Sequence, residues 1–246
     1  MNNKKYELFN YGITENENLI NQHPWILSRE KCILNNIKKK GLFNVADIGV
    51  NDMYYTKKIR AFTTGTVYAV DIFFPDEESV INNIICINDI SKIPDNKLDC
   101  IIMMDVLEYI EDDKGFFINA LKKIKKDGII LITVPAWKFL FSSHDIRSRH
   151  LRRYDKKDLL NVINQENIII KRCHYFYTIL FFTRLMGMLK KDKYSGNNIN
   201  WKYPEKNIVT QIFKLILDMD FYINSILNKL SINLPGLSIL AICRKK

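Results

Sequence analysis

The segment Asn44 to Asp71, NVADIGVNDMYYTKKIRAFTTGTVYAVD, limits the fold more than any other part of the chain. Val45-Ala46-Asp47-Ile48-Gly49 is a short apolar run that ends on glycine, and Val67-Tyr68-Ala69-Val70 is a second that ends on Asp71. Between them, Met53, Ile59 and Phe62 are apolar at helical spacing while Lys57, Lys58 and Arg60 are charged. A buried strand, a tight turn into a helix and an acid about 20 positions on outline a nucleoside-binding crossover. The turn lets backbone approach a ligand, the helix start offers unpaired N–H groups, and the acid accepts ribose hydroxyls. Glycine is sparse in this turn, since Val50, Asn51, Asp52 and Met53 follow Gly49. Asn51 tolerates a left-handed backbone, whereas Met53 cannot replace a glycine where the main chain must touch a ligand.

The pattern continues to residue 135. Pro75 to Val80 reads as a helix start with acids in its first turn. Ile84–Ile87 is a short buried strand followed by Asn88-Asp89, and Leu98–Met104 is a longer one that stops at Asp105. Asp112 to Lys125 is an amphipathic helix with Phe117, Ala120, Leu121 and Ile124 on one stripe. Asp127-Gly128 turns the chain into a strand at Ile129–Val134. Strands alternating with helices predict an α/β, Rossmann-like, doubly wound sheet, mostly parallel, with helices on both faces. Ligands of such sheets bind outside the carboxyl ends of the strands, where Asp47, Gly49, Asp71, Asp89 and Asp105 all fall. Residues 1–40 read as an N-terminal helical cover, opened by Pro24 and closed by Gly41, in which Trp25 and Arg29 pack against the next layer.

Ala136 to Tyr154, AWKFLFSSHDIRSRHLRRY, is long for a connection, and long connections in compact domains are often functional. It holds His144 and His150 together with Arg147, Arg149, Arg152 and Arg153. Guanidinium forks match phosphate or carboxylate oxygens, and an imidazole can accept a substrate proton. The two histidines and Asp145 have no spacing that specifies an ion, so no metal is expected. Asp155, with Asp158 three residues later, caps the next helix. Asn167 to Lys171 is strand-like, Tyr175 to Leu189 is apolar and helical, and Lys190 to Glu205 is a polar linker. Asn207 to Leu230 carries a long apolar stripe that could bury the preceding helix, form a homodimer or lie on a membrane as a peripheral contact. Packing within the chain is the default. Leu237 to Cys243 is a last buried strand, so 175–233 forms a helical insertion between the last two strands of a single domain, 1–246.

The formal net charge of +10 favours an anionic partner. Five widely spaced cysteines without a C-x-x-C pair indicate neither zinc nor disulfides, and point to reduced thiols in a cytoplasmic protein. The polar N-terminus lacks the apolar core of a signal peptide.

Taken together these segments resemble the class I S-adenosylmethionine-dependent methyltransferases, in a bacterial branch associated with cell-surface polysaccharide biosynthesis and small-molecule pathways. His23-Pro24-Trp25 with Arg29, Ala46-Asp47-Ile48-Gly49, Val70-Asp71, and Asp105-Val106-Leu107-Glu108 carry the likeness. The most distinctive block is Val134-Pro135-Ala136-Trp137, Ser143-His144-Asp145 and His150 with Arg152-Arg153-Tyr154. The resemblance implies a seven-stranded sheet whose last strand, antiparallel, lies between the fifth and sixth. It implies S-adenosylmethionine as cofactor, with Asp47, Gly49 and Asn51 along its methionine part, Asp71 and Ile72 at the ribose, Asn88 and Asp89 at the adenine, and Asp105 near the sulfonium. His144, then His150, is expected as the base. Tyr109, Trp137, Asp145, Arg149, Arg153 and Tyr154 are expected around a small, anionic acceptor. Tyr109 stands where the family has histidine. The base-modifying tetrad of Asn/Asp-Pro-Pro-aromatic is missing at Asp105-Val106-Leu107-Glu108, so no nucleic acid is expected. The alternative is a catalytically inactive relative that kept the fold as a binding or scaffold protein.

Overall fold

The computed structural model describes residues 23–37, 43–50, 53–189 and 204–246. Residues 1–22, the end of the first helix to Lys40, Asn51 in the first loop, and the linker at 190–203 lie outside them. The elements are α1 (Pro24–Ile37), β1 (Val45–Ile48), α2 (Tyr54–Arg60), β2 (Val67–Val70), β3 (Ser79–Ile81), β4 (Ile84–Ile87), β5 (Leu98–Met104), α3 (Asp113–Lys123) and β6 (Ile124–Pro135). There follow α4 (Ser143–Arg147), α5 (Lys156–Ile163), β7 (Ile168–Phe176), α6 (Thr178–Leu189), α7 (Ile208–Lys229) and β8 (Ser238–Lys245).

One eight-stranded sheet runs in the order β3-β4-β2-β1-β5-β6-β8-β7. β4, β2, β1, β5 and β6 pair in parallel, and β8 is antiparallel to both β6 and β7. The central strands are largely apolar because both faces are covered. Ala46, Ile48, Tyr68, Val70, Ile101, Met103, Ile130 and Ile132 face one core with Phe117 and Leu121 of α3 and Leu159 of α5. Their neighbours in sequence, Val45, Val67, Ala69, Cys100, Ile102, Ile129 and Leu131, face the other with Ile37, Ile59 and Leu217 of α1, α2 and α7. This period of two turns Asp47 towards α2, where its carboxylate, buried among apolar neighbours, accepts a hydrogen bond of 2.6 Å from the Thr56 hydroxyl.

Three sequence expectations need correction. The sheet has eight strands rather than seven, because Pro75 to Val80 does not begin a helix: Ser79–Ile81 pairs antiparallel with β4. Asn82 and Asn83, with φ of 52° and 60°, form the left-handed two-residue turn that suits a hairpin. That local turn outweighs the acids of the supposed first helical turn. Second, Asp127-Gly128 does not break the chain. β6 starts at Ile124 and runs through these residues with a register shift opposite Leu98 and Cys100, and Asp127 takes φ 63° there. Third, β7 extends to Phe176, so α6 begins only at Thr178.

α7 explains where α6 starts. Asp220 of α7 accepts hydrogen bonds from the Thr178 and Ile179 N–H groups, at 3.0 and 2.7 Å, and so satisfies the open donors of α6. Asn224 donates to the same carboxylate at 2.6 Å, and the Thr178 hydroxyl donates to Pro235 O. The buried side of α7 is therefore partly polar. No helix among the described residues is long and apolar enough to cross a membrane. Cys86, Cys100, Cys173 and Cys243 are buried free thiols; the side chain of Cys32 lies outside the described residues.

Candidate active site

The carboxyl edge of the parallel strands collects the cofactor candidates. Gly49 follows β1 with φ 72° and donates to Val70 O at 2.8 Å. A Cβ at this position would stand 2.8 Å from Val106 Cγ2, so both the backbone and the space demand glycine. Met53 adopts φ 61° and ψ 20°, a left-handed conformation, and its side chain is buried in the core beside α1 and α2. It thus supplies the turn that a second glycine would have supplied. Asp71 follows β2 and accepts from the Phe73 N–H, next to Ile72, which is 78% exposed. Asn88 follows β4 and donates to Asp76 at 2.6 Å, but its buried amide oxygen has no hydrogen-bond partner among the described residues. Asp89 caps the short turn Ile90–Lys92 by accepting from Ser91 N at 2.7 Å.

Asp105 follows β5 in a left-handed conformation, φ 55°. It is ion-paired with Arg29 of α1 and accepts from the Thr133 hydroxyl of β6 at 3.0 Å. Arg29 is buried, lies under the Trp25 ring at 4.3 Å and also donates to Thr133. Burial alone would raise the Asp105 carboxyl, but Arg29's charge and hydrogen bonds reverse this and hold it below the ordinary carboxylate value. Arg29 thus pins the helical cover to two strands rather than merely packing. Three residues on, Glu108 is fully buried and neither carboxylate oxygen has a hydrogen-bond partner among the described residues. Burial, then the nearby Asp105 charge, raises it well above the ordinary value of 4.5.

The second cluster comes from the Ala136–Tyr154 connection. It is not an open loop: Ala136 bridges Tyr154, and α4 lies between them. Asp145 is fully buried and accepts from Arg153 Nε at 2.7 Å, Ser142 N at 2.9 Å and the Ser142 hydroxyl at 3.1 Å. Arg184 of α6 comes within 3.6 Å of it and donates to Ser142. Burial would raise Asp145, and the His150, Arg153 and Ser142 contacts together hold it far below the usual carboxylate range. His150 Nδ1 lies 3.3 Å from Asp145 Oδ1, and its Nε2 lies 3.0 Å from the Tyr109 hydroxyl. An ionised carboxylate only accepts, so Nδ1 carries a proton, and in the neutral ring Nε2 then accepts from Tyr109. The two rings meet edge to face at 87° with centroids 4.9 Å apart. Burial, followed by the nearby acids, raises the Tyr109 phenol and keeps it protonated.

The remaining candidates disperse. His144 is exposed on α4, and its ring makes no hydrogen bond among the described residues. Burial of part of the ring and the Arg184 charge lower its pKa. Trp137 stacks on Tyr175 at 4.5 Å and donates to Gly236 O at 2.8 Å. Tyr154 is buried and donates to Asp113 at 2.7 Å and to Leu107 O at 3.0 Å. Arg152 pairs with Asp113, and Arg153 bonds Asp145 and Ala136 O; Arg149 is exposed. Sequence reasoning passed over Arg29, Glu108 and Arg184 as site residues. Arg184 had one signal, a cation in an otherwise apolar helical run, and Glu108 had another, an acid between Leu107 and Tyr109 shortly after a strand end.

The fold and the carboxyl-edge site define a nucleoside-binding α/β protein. Residues 21–186 match the sequence model of a methyltransferase domain family. The chain belongs to this family, the class I S-adenosylmethionine-dependent methyltransferases. No curated protein sequence matches the chain. Among solved structures it is similar to the N-methyltransferase NodS of Bradyrhizobium japonicum, in complex with S-adenosyl-L-homocysteine. The two are 12% identical over 98% of each chain, with a TM-score of 0.57. It is also similar to a methyltransferase from Archaeoglobus fulgidus, at 15% identity over 91% of this chain and 94% of the other, TM-score 0.52. The cyclase SpnF is 12% identical over 90% of this chain and 82% of its own, TM-score 0.52. Fold likeness alone therefore does not name a reaction; the family match does.

Proposed function

We propose that this protein methylates an oxygen or nitrogen of a small anionic acceptor, a glycan precursor or a phosphorylated metabolite, in the cytoplasm. The motif resemblance and the net charge of +10 support the acceptor class. The residues at the carboxyl edge fit S-adenosylmethionine. Gly49 leaves the first turn bare, Asp71 stands beside the exposed Ile72, and the Asn88 amide oxygen is buried without a partner. In this reading Gly49, Asp71, Ile72, Asn88, Asp89 and Asp105 hold the cofactor, whose sulfonium, when bound, supplies an electrophilic methyl group.

The observation that carries the reading is the chain Asp145–His150–Tyr109. Asp145 fixes the tautomer of His150 and leaves Nε2 as proton acceptor. The half-exposed Tyr109 hydroxyl takes the acceptor's proton as it passes its own to Nε2. This assigns the base to His150 ahead of His144, which lacks an orienting carboxylate. Arg149, exposed and close in sequence, is left to attract the acceptor's negative charge. His150→Asn should lower kcat by about 100-fold or more, with the S-adenosylmethionine Kd nearly unchanged by calorimetry. An unaltered kcat would remove His150 from the chemistry, and failure of the wild type to bind the cofactor would favour the inactive scaffold.

A further inference from the structure

The long helix α7 is amphipathic in the reverse sense. Ile208, Ile212, Leu215, Met219, Ile223 and Ile226 are 39% to 70% exposed. At 3.6 residues per turn they fall within an arc of about 80°. The opposite side is buried and carries Thr210, Asp220 and Asn224 alongside Leu217. Asp220 and Asn224 are satisfied at the start of α6, as Asp220 caps it and Asn224 holds Asp220. The inversion is therefore fixed by hydrogen bonds and cannot be relieved by rotating the helix. α6 adds Phe182 and Met186, each at least half exposed. Soluble monomers seldom leave an apolar surface of this extent open to water.

We propose that the outward face of α6 and α7 docks on an anionic lipid bilayer, lying in the plane of its interface. Charge selects this occupant over a second copy of the chain. A two-fold dimer would bring the same patch of each copy together. Lys206 and Lys229, exposed at the two ends of α7, would then meet their counterparts in a chain whose net charge is already +10. An anionic surface instead attracts them, and lysines flanking an apolar face extend towards headgroups. Between Glu205 and Leu230 the acids are Glu205, whose charge acts on Tyr54 of α2, Asp218, paired with Lys214 at 2.9 Å, and the buried Asp220. No acid on the face opposes anionic lipid. Because no described helix can span a bilayer, the contact is interfacial. Arg184 of α6 reaches Ser142 and Asp145, so the docked hairpin adjoins the His150 cluster.

Flotation of the full-length chain with vesicles of phosphatidylcholine, with and without an equal part of phosphatidylglycerol, tests this independently of catalysis. The wild type should float with the anionic vesicles and be released by salt. The exposed triple variant Ile212→Gln, Met219→Gln, Ile223→Gln should bind at least about tenfold more weakly and keep its melting temperature. Lys206→Glu with Lys229→Glu should weaken binding to the anionic vesicles only. The proposal is overturned if the wild type ignores anionic vesicles or if the triple variant binds as well. It is equally overturned if sedimentation shows a stable dimer that the triple variant dissolves.

Discussion

Replacing Glu108 by glutamine tests how deeply the protein has buried an acid beside its site. Glu108 is fully buried, both oxygens lack hydrogen-bond partners among the described residues, and burial plus the Asp105 charge push it well above 4.5. The folded protein thus keeps this carboxyl protonated while the unfolded chain ionises it. For a raised group the favourable contribution is complete at low pH and is lost as pH rises towards the folded-state value. Over that interval the wild type should lose up to about 1.4 kcal/mol per pH unit from this one residue. Glu108→Gln has nearly the same shape and no proton to lose, so the loss should vanish. Urea midpoints measured from pH 4.5 to 8 should start nearly equal and diverge in favour of the variant as pH rises. A stability difference that stays constant across this range would show that Glu108 is ionised in the fold, and the reasoning fails.

Asp145→Asn should destabilise the fold by about 3–5 kcal/mol, because it strips the buried Arg153 of its partner; urea unfolding measures it. Since Asp145 is held below the usual range, its contribution is present at neutral pH and is lost on acidification below about 4. Gly49→Ala should cost about 1–2 kcal/mol for the left-handed backbone alone, with weaker cofactor binding by calorimetry. Adding Val106→Ala removes the atom 2.8 Å from the new Cβ and should recover part of that loss. A thiol reagent should leave Cys173 and Cys243 unlabelled in the native protein near pH 8, because burial pushes them up to about 11 and about 12.

The parallel core was legible because strands buried on both faces read as mostly apolar runs, and β1, β2 and β5 each have an acid within or directly after them. Asp155 and Asp158 announced the start of α5, where the Asp158 carboxylate accepts from the Asp155 N–H. What escaped was set by partners distant in sequence. Near residue 80 the acids of Asp76 to Glu78 favour a helix start, and only the Asn82-Asn83 pair favours a hairpin. The end of β7 was hidden because Tyr175 to Phe182 is apolar but for Thr178, and only Asp220, 42 residues beyond Thr178, fixes the helix start. The sequence reading puts His144 ahead of His150, and the structure favours the reverse. Their difference lies in Asp145, which packs beneath His150 and not His144, and in Tyr109, 41 positions earlier.

β8 is the last strand made, yet it belongs in the interior of the sheet, hydrogen-bonded to β6 on one side and β7 on the other. During synthesis β6 must wait with an open edge until Ser238–Lys245 has emerged, and until then β7 has nowhere to attach. A chain cut before Ser238 would lose two strands rather than one, and would expose a long apolar edge open to pairing with other chains.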